Sequence, residues 1–282
     1  MKELEWVDLL KTKVKKSKEV LKGIGDDCAL VKLGNEKILL KSDLFIEGIH
    51  FNKAKISLCA IGMRAVGRVL SDFAACGGEP KFIGISIGAP SNMPKKDLKK
   101  ILQGVVSYGK KYKFSLVGGD TSKSNKLFLD VWGLGTTKKF ISRSGAKKED
   151  YIFLTGKLGR AKFNQAFKPR IKEAKILVRD FKINSMIDIS DGFAIDLYRI
   201  LKESNKGALI QKEILPLTKG FNDIYRGEDY ELIFTVDKKE PKIEELKRKY
   251  YFVGKIELRS FGFKIKEKNL VSRVRVRGYT HF

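Results

Sequence analysis

Five short acidic motifs in this sequence contain the residue types of a site for cations and phosphate. In each motif, aspartates stand next to glycine or serine, or close a run of apolar residues. The motifs are Gly25-Asp26-Asp27, Ser42-Asp43, Ser71-Asp72, Gly118-Gly119-Asp120-Thr121 and Asp188-Ile189-Ser190-Asp191-Gly192. Carboxylate and hydroxyl oxygens are the ligands that hard divalent cations prefer, and glycine lets a backbone approach a phosphate closely. The motifs therefore predict a magnesium site that also receives a phosphorylated ligand.

Alternating strand and helix patterns surround these motifs, and they indicate an α/β protein. Apolar, β-rich runs predict strands over residues 37–42, 82–88, 114–117, 127–134, 151–154, 186–189, 208–211, 231–236 and 251–256. Helices are predicted over 56–75, 95–112 and 193–203, and a charged helix joins the last two strands. Several acidic motifs then fall at strand ends, where side chains converge on one edge of a sheet.

The chain is long enough for two domains. It has 282 residues, of which 43% are hydrophobic, and this length allows two cores of ordinary size. A polar, turn-rich stretch near residues 138–150 is the best boundary. We therefore predict one domain over 1–139 and a second over 140–282.

The composition excludes several classes of function. A formal net charge of +25 attracts nucleic acid, anionic lipid or phosphorylated small molecules, but the lysines are spread along the chain and match no nucleic-acid-binding motif. Two histidines cannot form an H-E-x-x-H zinc motif. Three widely spaced cysteines suit reduced thiols in the cytoplasm. We expect a cytoplasmic protein with no membrane span, because no signal sequence or long apolar run is found.

Seven segments, in order, resemble the thiamine-monophosphate kinase family. They are residues 23–30 (GIGDDCAL), 47–51 (EGIHF), 70–77 (LSDFAACG), 117–121 (VGGDT), 187–192 (IDISDG), 227–232 (GEDYEL) and 278–282 (GYTHF). Each segment alone is weak evidence, but their order and spacing also match. The resemblance therefore covers essentially the whole chain.

The resemblance implies a two-domain fold of the aminoimidazole-ribotide-synthetase type. In that family the N-terminal domain binds ATP and magnesium and pairs with its copy in a barrel-like homodimer, while a C-terminal α/β domain closes a cleft. The implied reaction is the phosphorylation of thiamine monophosphate by ATP, with several Mg²⁺ ions, to give thiamine diphosphate. The chain has no G-x-x-x-x-G-K-[ST] sequence, as expected for a kinase without a P-loop. No specific nucleic-acid partner is expected.

Site residues follow from the same resemblance. The implied magnesium ligands are Asp27, Ser42, Asp43, Asp72, Asp120, Asp188 and Asp191, the last of these acting through water, as does Asp26. The implied ATP-binding residues are Gly119, Asp120, Arg143 and Ser190, and those for thiamine monophosphate are His50, Glu228 and Tyr279. Asp43, Asp120 and Arg143 are expected to act in catalysis. The acceptor is a phosphate whose second pKa is about 6, so it is already anionic at neutral pH. Its attack on ATP therefore requires no general base.

Four positions depart from the family pattern. Lys41 stands where a small hydroxyl residue is usual, and it either replaces part of a metal's charge or points outward. Ser42 replaces a threonine, Arg226 replaces a glycine, and the segment 160–165 is short and polar. These changes put the choice of acceptor in question more than the fold.

Three other functions compete with the kinase. A related ATP-using synthetase of the same superfamily would take another acceptor. A basic nucleic-acid-binding protein would exploit the charge of +25, with steep salt dependence. The third is a hydrolase, because residues 84–88 match the G-x-S-x-G elbow, but Pro90 follows where the elbow needs a helix. We predict a plain strand there.

Overall fold

The computed structural model describes residues 3–15 and 17–280. The first half of the chain forms a seven-stranded sheet. Its strands are β1 (Val20–Lys22), β2 (Ala29–Leu33), β3 (Glu36–Ile46), β4 (Glu79–Ala89), β5 (Ser115–Gly118), β6 (Thr121–Lys123) and β7 (Phe128–Thr136). They lie in the order β1-β2-β3-β7-β4-β5, and β6 pairs with β4. Three helices accompany this sheet: α1 (Glu3–Lys13), α2 (Leu58–Ala75) and α3 (Lys95–Tyr112).

The second half forms another seven-stranded sheet. Its strands are β8 (Tyr151–Leu154), β9 (Ile183–Asp188), β10 (Lys206–Gln211), β11 (Leu232–Val236), β12 (Tyr251–Leu258), β13 (Phe263–Glu267) and β14 (Leu270–Arg273), in the order β14-β13-β10-β12-β8-β11-β9. The helices of this half are α4 (Ile171–Asp180), α5 (Phe193–Ser204) and α6 (Ile243–Lys249). The boundary predicted after residue 139 lies between β7 and β8, and it stays a prediction.

Every predicted strand and helix corresponds to an element of the structure. The helix predicted over 95–112 has those bounds, and the charged helix before the last predicted strand is α6. Residues 84–88 lie inside β4, where Ser86 pairs with Asp130 of β7. The predicted plain strand is therefore confirmed, and the backbone there has no nucleophile elbow. The prediction missed α1, α4 and several short strands. No described helix is long and apolar enough to cross a membrane.

Helix α2 is the central packing element of the molecule. Ser57 caps its N-terminus by accepting a hydrogen bond from the N–H of Ala60 at 3.2 Å, which stabilises the first turn. Its apolar side chains, among them Ile61, Val69 and Phe73, are fully buried against β3, β4 and β7 of the first sheet. The same helix contacts α4 and β9, so it places residues of both halves side by side.

Strand β3 presents different residues on its two faces because side chains alternate along a strand. Leu39 and Phe45 are fully buried on the inner face, towards α2. On the outer face, four large apolar side chains from three strands are 39–51% exposed: Leu40, Leu44, Phe82 and Trp132. An apolar patch of this kind is typical of a surface that another protein chain covers.

Candidate active site

Three buried carboxylates meet between the two halves of the chain. Asp27 precedes β2, Asp72 lies on α2, and Asp188 ends β9. Their oxygen atoms lie within 4.8 Å of one another, and the three residues are 2%, 7% and 3% exposed. The Oδ2 atom of Asp188 accepts a hydrogen bond of 2.6 Å from the hydroxyl of Ser71. The structure thus brings together three of the predicted magnesium ligands.

Lys41 and Asp43 join this cluster from β3. They are two residues apart, so both side chains point to the inner face of the strand. The Nζ atom of Lys41 lies 3.1 Å from Oδ2 of Asp72 and 3.5 Å from Oδ1 of Asp43. Of the two orientations that the sequence allowed for Lys41, the structure shows the inward one. We call Asp27, Asp43, Asp72 and Asp188 the acidic cluster.

The acidic cluster perturbs the pKa values of its members. Burial raises the pKa of Asp188 to about 7, with a further contribution from Asp27. Burial also raises the pKa of Asp72 well above its usual range, against the effect of Lys41. Burial opposes the charge of Lys41, but Asp43 and Asp72 raise its pKa above the ordinary lysine value. The charges of the cluster are thus strongly coupled, as expected of carboxylates gathered in a small buried volume.

The acidic cluster fits magnesium by the chemistry of its donors. Mg²⁺ takes oxygen ligands at about 2.1 Å in an octahedron, so neighbouring ligand oxygens lie about 3 Å apart. The oxygens of Asp27, Asp72 and Asp188 all lie within 4.8 Å of one another, which is close enough for the three carboxylates to share one ion. A second group, Asp26, Asp27 and Cys76, is also compact, but burial raises the pKa of the Cys76 thiol well above its usual value. A neutral thiol is a poor ligand for a hard cation.

Arg143 lies beside the acidic cluster in a single turn of 3-10 helix. Its Nε and Nη2 atoms donate to the two oxygens of Asp27 at 3.2 and 2.5 Å, which is the two-pronged geometry that guanidinium favours with carboxylates. Asp26 anchors the turn, because it accepts hydrogen bonds from the Ser142 hydroxyl at 2.6 Å and from the Arg143 N–H at 3.2 Å. Asp26 therefore positions Arg143.

A polar cavity of ≈ 210 Å³ opens in front of the acidic cluster. Asp27, Asp43, Asp72 and Arg143 line it, together with Ser190 and Asp191. Helices α1 and α5 complete its wall through two ion pairs, Lys11 with Glu203 at 2.6 Å and Lys202 with Asp8 at 2.8 Å. Sequence reasoning named none of these four residues: it assigned no element to α1, and it therefore had no partners for Lys202 and Glu203 of the predicted helix. We call this space the acidic cavity.

A second cavity of ≈ 480 Å³ adjoins the first. It contains all three residues predicted to bind thiamine monophosphate, His50, Glu228 and Tyr279, together with the half-exposed ring of Phe163. The His50 ring accepts a hydrogen bond of 3.0 Å from the N–H of Ile46, and this contact fixes the turn after β3. We call this space the aromatic cavity. His281 and Phe282, in the last resemblance segment, lie outside the described residues.

Two arginines of α2 hold Glu228 at the wall of the aromatic cavity. Arg64 donates to Oε2 of Glu228, and Arg68 donates to Oε1 at 2.8 Å. The Tyr230 hydroxyl donates to the same Oε1 at 2.9 Å. Arg64 is 1% exposed, and a buried charge of this kind needs such partners. Neither arginine was predicted as a site residue.

The two cavities share a wall made of Arg68, Ser190 and Asp191. The loop that contains Ser190 and Asp191 is held by Asp196 on α5, which accepts hydrogen bonds from the N–H groups of Asp191 and Gly192 at 3.0 and 3.1 Å. The shared wall is therefore a fixed structure.

Ser42, Gly119 and Asp120 do not line either cavity. Ser42 points to the outer face of β3, where its hydroxyl donates to Oδ1 of Asp130 at 2.8 Å. Gly119 and Asp120 form the exposed turn between β5 and β6. Gly119 has a φ of +154°, and a Cβ atom there would lie 1.7 Å from the Ile85 carbonyl oxygen. This turn therefore requires glycine whatever it binds.

The short segment at residues 156–170 contains no helix, yet it is firmly held. The carboxylate of Asp229 accepts three backbone hydrogen bonds of 2.8 to 2.9 Å, from Gly159, Arg160 and Ala161. Phe167 stacks on Tyr230 with ring centres 3.7 Å apart. The departure from the family pattern therefore lies in the wall of the aromatic cavity. Arg226 also lines this cavity, and its side chain is 52% exposed.

Comparison with known proteins gives consistent matches. The family model described as AIR synthase related protein, N-terminal domain, matches residues 25–137. The thiamine-monophosphate kinase of Buchnera aphidicola subsp. Schizaphis graminum is 36% identical in an alignment that covers 81% of this chain and 80% of that protein. The enzyme of the same name from Buchnera aphidicola subsp. Acyrthosiphon pisum is 33% identical in an alignment that covers 95% of this chain and 94% of that protein. A solved structure described as AaThiL complexed with AMPPCP and TMP has a TM-score of 0.85 at 28% identity, covering 100% of this chain and 97% of that chain.

Proposed function

Because the chain belongs to the thiamine-monophosphate kinase family, we propose that it transfers the γ-phosphoryl group of ATP to thiamine monophosphate where its two cavities meet. The products are thiamine diphosphate and ADP. One observation carries the location of the reaction: the acidic cavity and the aromatic cavity share the wall formed by Arg68, Ser190 and Asp191. Phosphoryl transfer needs the two phosphate groups in line and their charges neutralised, and this wall borders both spaces.

The acidic cavity receives the triphosphate of ATP. Asp27, Asp72 and Asp188 would hold magnesium there, with Asp43 beside them. Magnesium bound by these carboxylates would supply positive charge that neutralises the phosphates during transfer. The guanidinium of Arg143, which is held by Asp27, provides a fixed positive charge for phosphate at the edge of the acidic cluster.

The aromatic cavity receives thiamine monophosphate. Its thiazolium ring is a permanent cation, and it suits a cavity with the Glu228 carboxylate and the aromatic faces of Tyr279 and Phe163. Arg64 and Arg68 keep Glu228 in place, so the ring is bound in a defined orientation. The acceptor phosphate then points towards Arg68 at the shared wall. Its oxygen attacks without a general base because it is already ionised.

We also propose that the chain acts as a homodimer through the outer face of the first sheet. The exposed side chains of Leu40, Leu44, Phe82 and Trp132 support this proposal, because a second copy would remove them from water. Ser42 lies on the same face, and the turn of Gly119 and Asp120 lies two strands from β7, beyond β4. We propose that these three residues contribute to ion and nucleotide binding in the dimer.

Direct analysis of the reaction products tests the proposed function. The full chain is incubated with ATP, Mg²⁺ and thiamine monophosphate, and parallel reactions contain thiamine or an aminoimidazole ribotide precursor instead. The products are identified by mass. We expect thiamine diphosphate and ADP in equal amounts, and only with thiamine monophosphate. ATP binding without thiamine diphosphate would instead support the alternative of a related synthetase with another acceptor.

A further inference from the structure

Lys41 is a charged residue inside a site that the proposed function assigns to metal ions. Its ammonium group contacts two carboxylates, at 3.1 Å from Asp72 and 3.5 Å from Asp43. Its side chain is 23% exposed and lines the acidic cavity. The position in the middle of β3 fixes the direction of the side chain, because a rotation to the outer face would require a change in strand register.

An ammonium group and a divalent cation compete for this position. A magnesium ion shared by Asp43 and Asp72 would need the same oxygens at about 2.1 Å. The ammonium forms ion pairs with these oxygens instead, and it would repel a second cation at the same point. The space between Asp43 and Asp72 therefore holds one positive group at a time.

The two carboxylates also stabilise the inward position of the Lys41 ammonium. An ammonium that is largely removed from water needs a partner for its charge, and two carboxylates provide that pairing for the partly buried Lys41. An ammonium has three N–H donors. Lys41 also lines the acidic cavity, so its ammonium can donate to a phosphate oxygen there as well as pair with Asp43 and Asp72.

We propose that the Lys41 ammonium replaces one divalent cation of this site, so that the chain binds one ion fewer than it would with serine at position 41. The remaining ions bind to Asp27, Asp72 and Asp188. Lys41 is thus a permanently bound positive charge for the phosphates, and a positioning residue for Asp43 and Asp72. This inference rests on the proposed function for the identity of the substrates, but not for the number of ions.

Counting bound metal tests the inference. The full chain is saturated with AMPPCP, and bound Mn²⁺ is measured by equilibrium dialysis and by the electron paramagnetic resonance signal of free Mn²⁺. We expect Lys41→Ser to bind one more Mn²⁺ per chain than the wild type. Two control variants should bind as many Mn²⁺ ions as the wild type. Lys41→Arg keeps the charge, and Lys37→Ser removes an exposed lysine of the same strand. Equal counts for Lys41→Ser and the wild type would overturn the proposal.

Thermal melting gives a second readout that does not depend on activity. In EDTA, Lys41→Ser leaves Asp43 and Asp72 without their cation, and we expect its Tm to fall by about 5 °C or more. Mn²⁺ should then raise the Tm of this variant more than that of the wild type. If Lys41→Ser does not fold, Lys41→Gln keeps the length without the charge and has the same expected gain of one ion. An unchanged Tm in EDTA, for either variant, would contradict the inference.

The ion count and the kinase assay fail independently. A protein that binds AMPPCP with the expected counts but does not phosphorylate thiamine monophosphate would overturn the proposed acceptor and support the role of Lys41. If the protein makes thiamine diphosphate but the wild type and Lys41→Ser bind equal numbers of Mn²⁺ ions, the proposed acceptor is supported and the role of Lys41 is overturned.

Discussion

The replacement of Arg64 by methionine tests how the two halves of the chain are held together at the aromatic cavity. Arg64 is on α2, but its partners lie in the second half. Its Nη1 atom donates to the carbonyl oxygens of Lys162 and Gln165 at 3.2 and 2.7 Å, and its Nη2 atom donates to Glu228. Hydrogen bonds from a charged group contribute about 1.5–3 kcal/mol each, so the three bonds together set an upper range of about 4.5–9 kcal/mol.

The expected loss is smaller than this sum. Glu228 keeps its contacts with Arg68 and Tyr230, and methionine fills the volume of the arginine stem. We expect the free energy of unfolding to fall by about 3–5 kcal/mol, which is the usual cost of breaking a buried ion pair. At about 2–4 °C per kcal/mol, the Tm should fall by roughly 10 °C. The KM for thiamine monophosphate should rise about tenfold, a change of about 1.4 kcal/mol, because Arg64 holds Glu228 and the segment around Phe163, and both of these residues line the aromatic cavity.

Urea unfolding, followed by circular dichroism, measures the free energy of unfolding. Steady-state kinetics with each substrate measures the KM values. Limited proteolysis should also cut the variant faster near residues 160–165. Arg160→Met is the matched control, since Arg160 is an exposed arginine of the same segment. The reasoning is refuted if Arg64→Met loses less than about 1 kcal/mol, or if the KM for ATP changes as much as that for thiamine monophosphate.

Three further variants test the proposed site and assembly. Asp72→Asn should lower kcat by at least about 100-fold, because a metal ligand is removed. Its Tm in EDTA should stay within a few degrees of the wild type, because Lys41 keeps Asp43 as a partner and the repulsion of Asp27 and Asp188 by a third carboxylate is relieved. Near-normal turnover at millimolar Mg²⁺ would contradict this. Phe163→Ala should raise the KM for thiamine monophosphate about 2- to 5-fold at an unchanged KM for ATP, since an exposed aromatic–cation contact contributes about 0.5–1 kcal/mol. Equal effects on both substrates would argue against a stacking role. Trp132→Asp should give a monomer in analytical ultracentrifugation, and the control Lys37→Ser should remain a dimer. A dimer in both variants would refute the proposed interface.

The sequence predicted the elements that have strong periodicity and the acidic motifs attached to them. Residues 95–112 form a helix with one apolar face, and α3 has those bounds. Helix α1 was missed because its apolar residues do not mark a buried face: Trp6 and Leu9 are 43% and 40% exposed. Helix α4 has the pattern Ile171, Ala174 and Leu177, which periodicity indicates only weakly in so short a segment.

The candidate site was predictable as a set of residues, but not as an arrangement. Local spacing places Lys41 and Asp43 on one face of a strand, yet it does not say which face is inner. Arg64 stands in an apolar helix, and its partners are separated from it by about a hundred residues or more, so no local pattern identifies it. The position of Ser42 on the outer face follows from the same alternation once the inner face is known.

The two faces of β3 also limit how this chain can change during evolution. The inner face carries Lys41 and Asp43 towards the acidic cavity, and the outer face carries Leu40, Ser42 and Leu44. Deletion or insertion of one residue between positions 39 and 45 would exchange the inner-face and outer-face residues. Leucines would then be buried in place of the charged pair, and the charged pair would be exposed where the apolar patch now lies. β3 is hydrogen-bonded on both sides, by β2 and β7, so a bulge cannot easily absorb the change. Variation within this strand should therefore be confined to substitutions, and length changes should occur only in the turns at its ends.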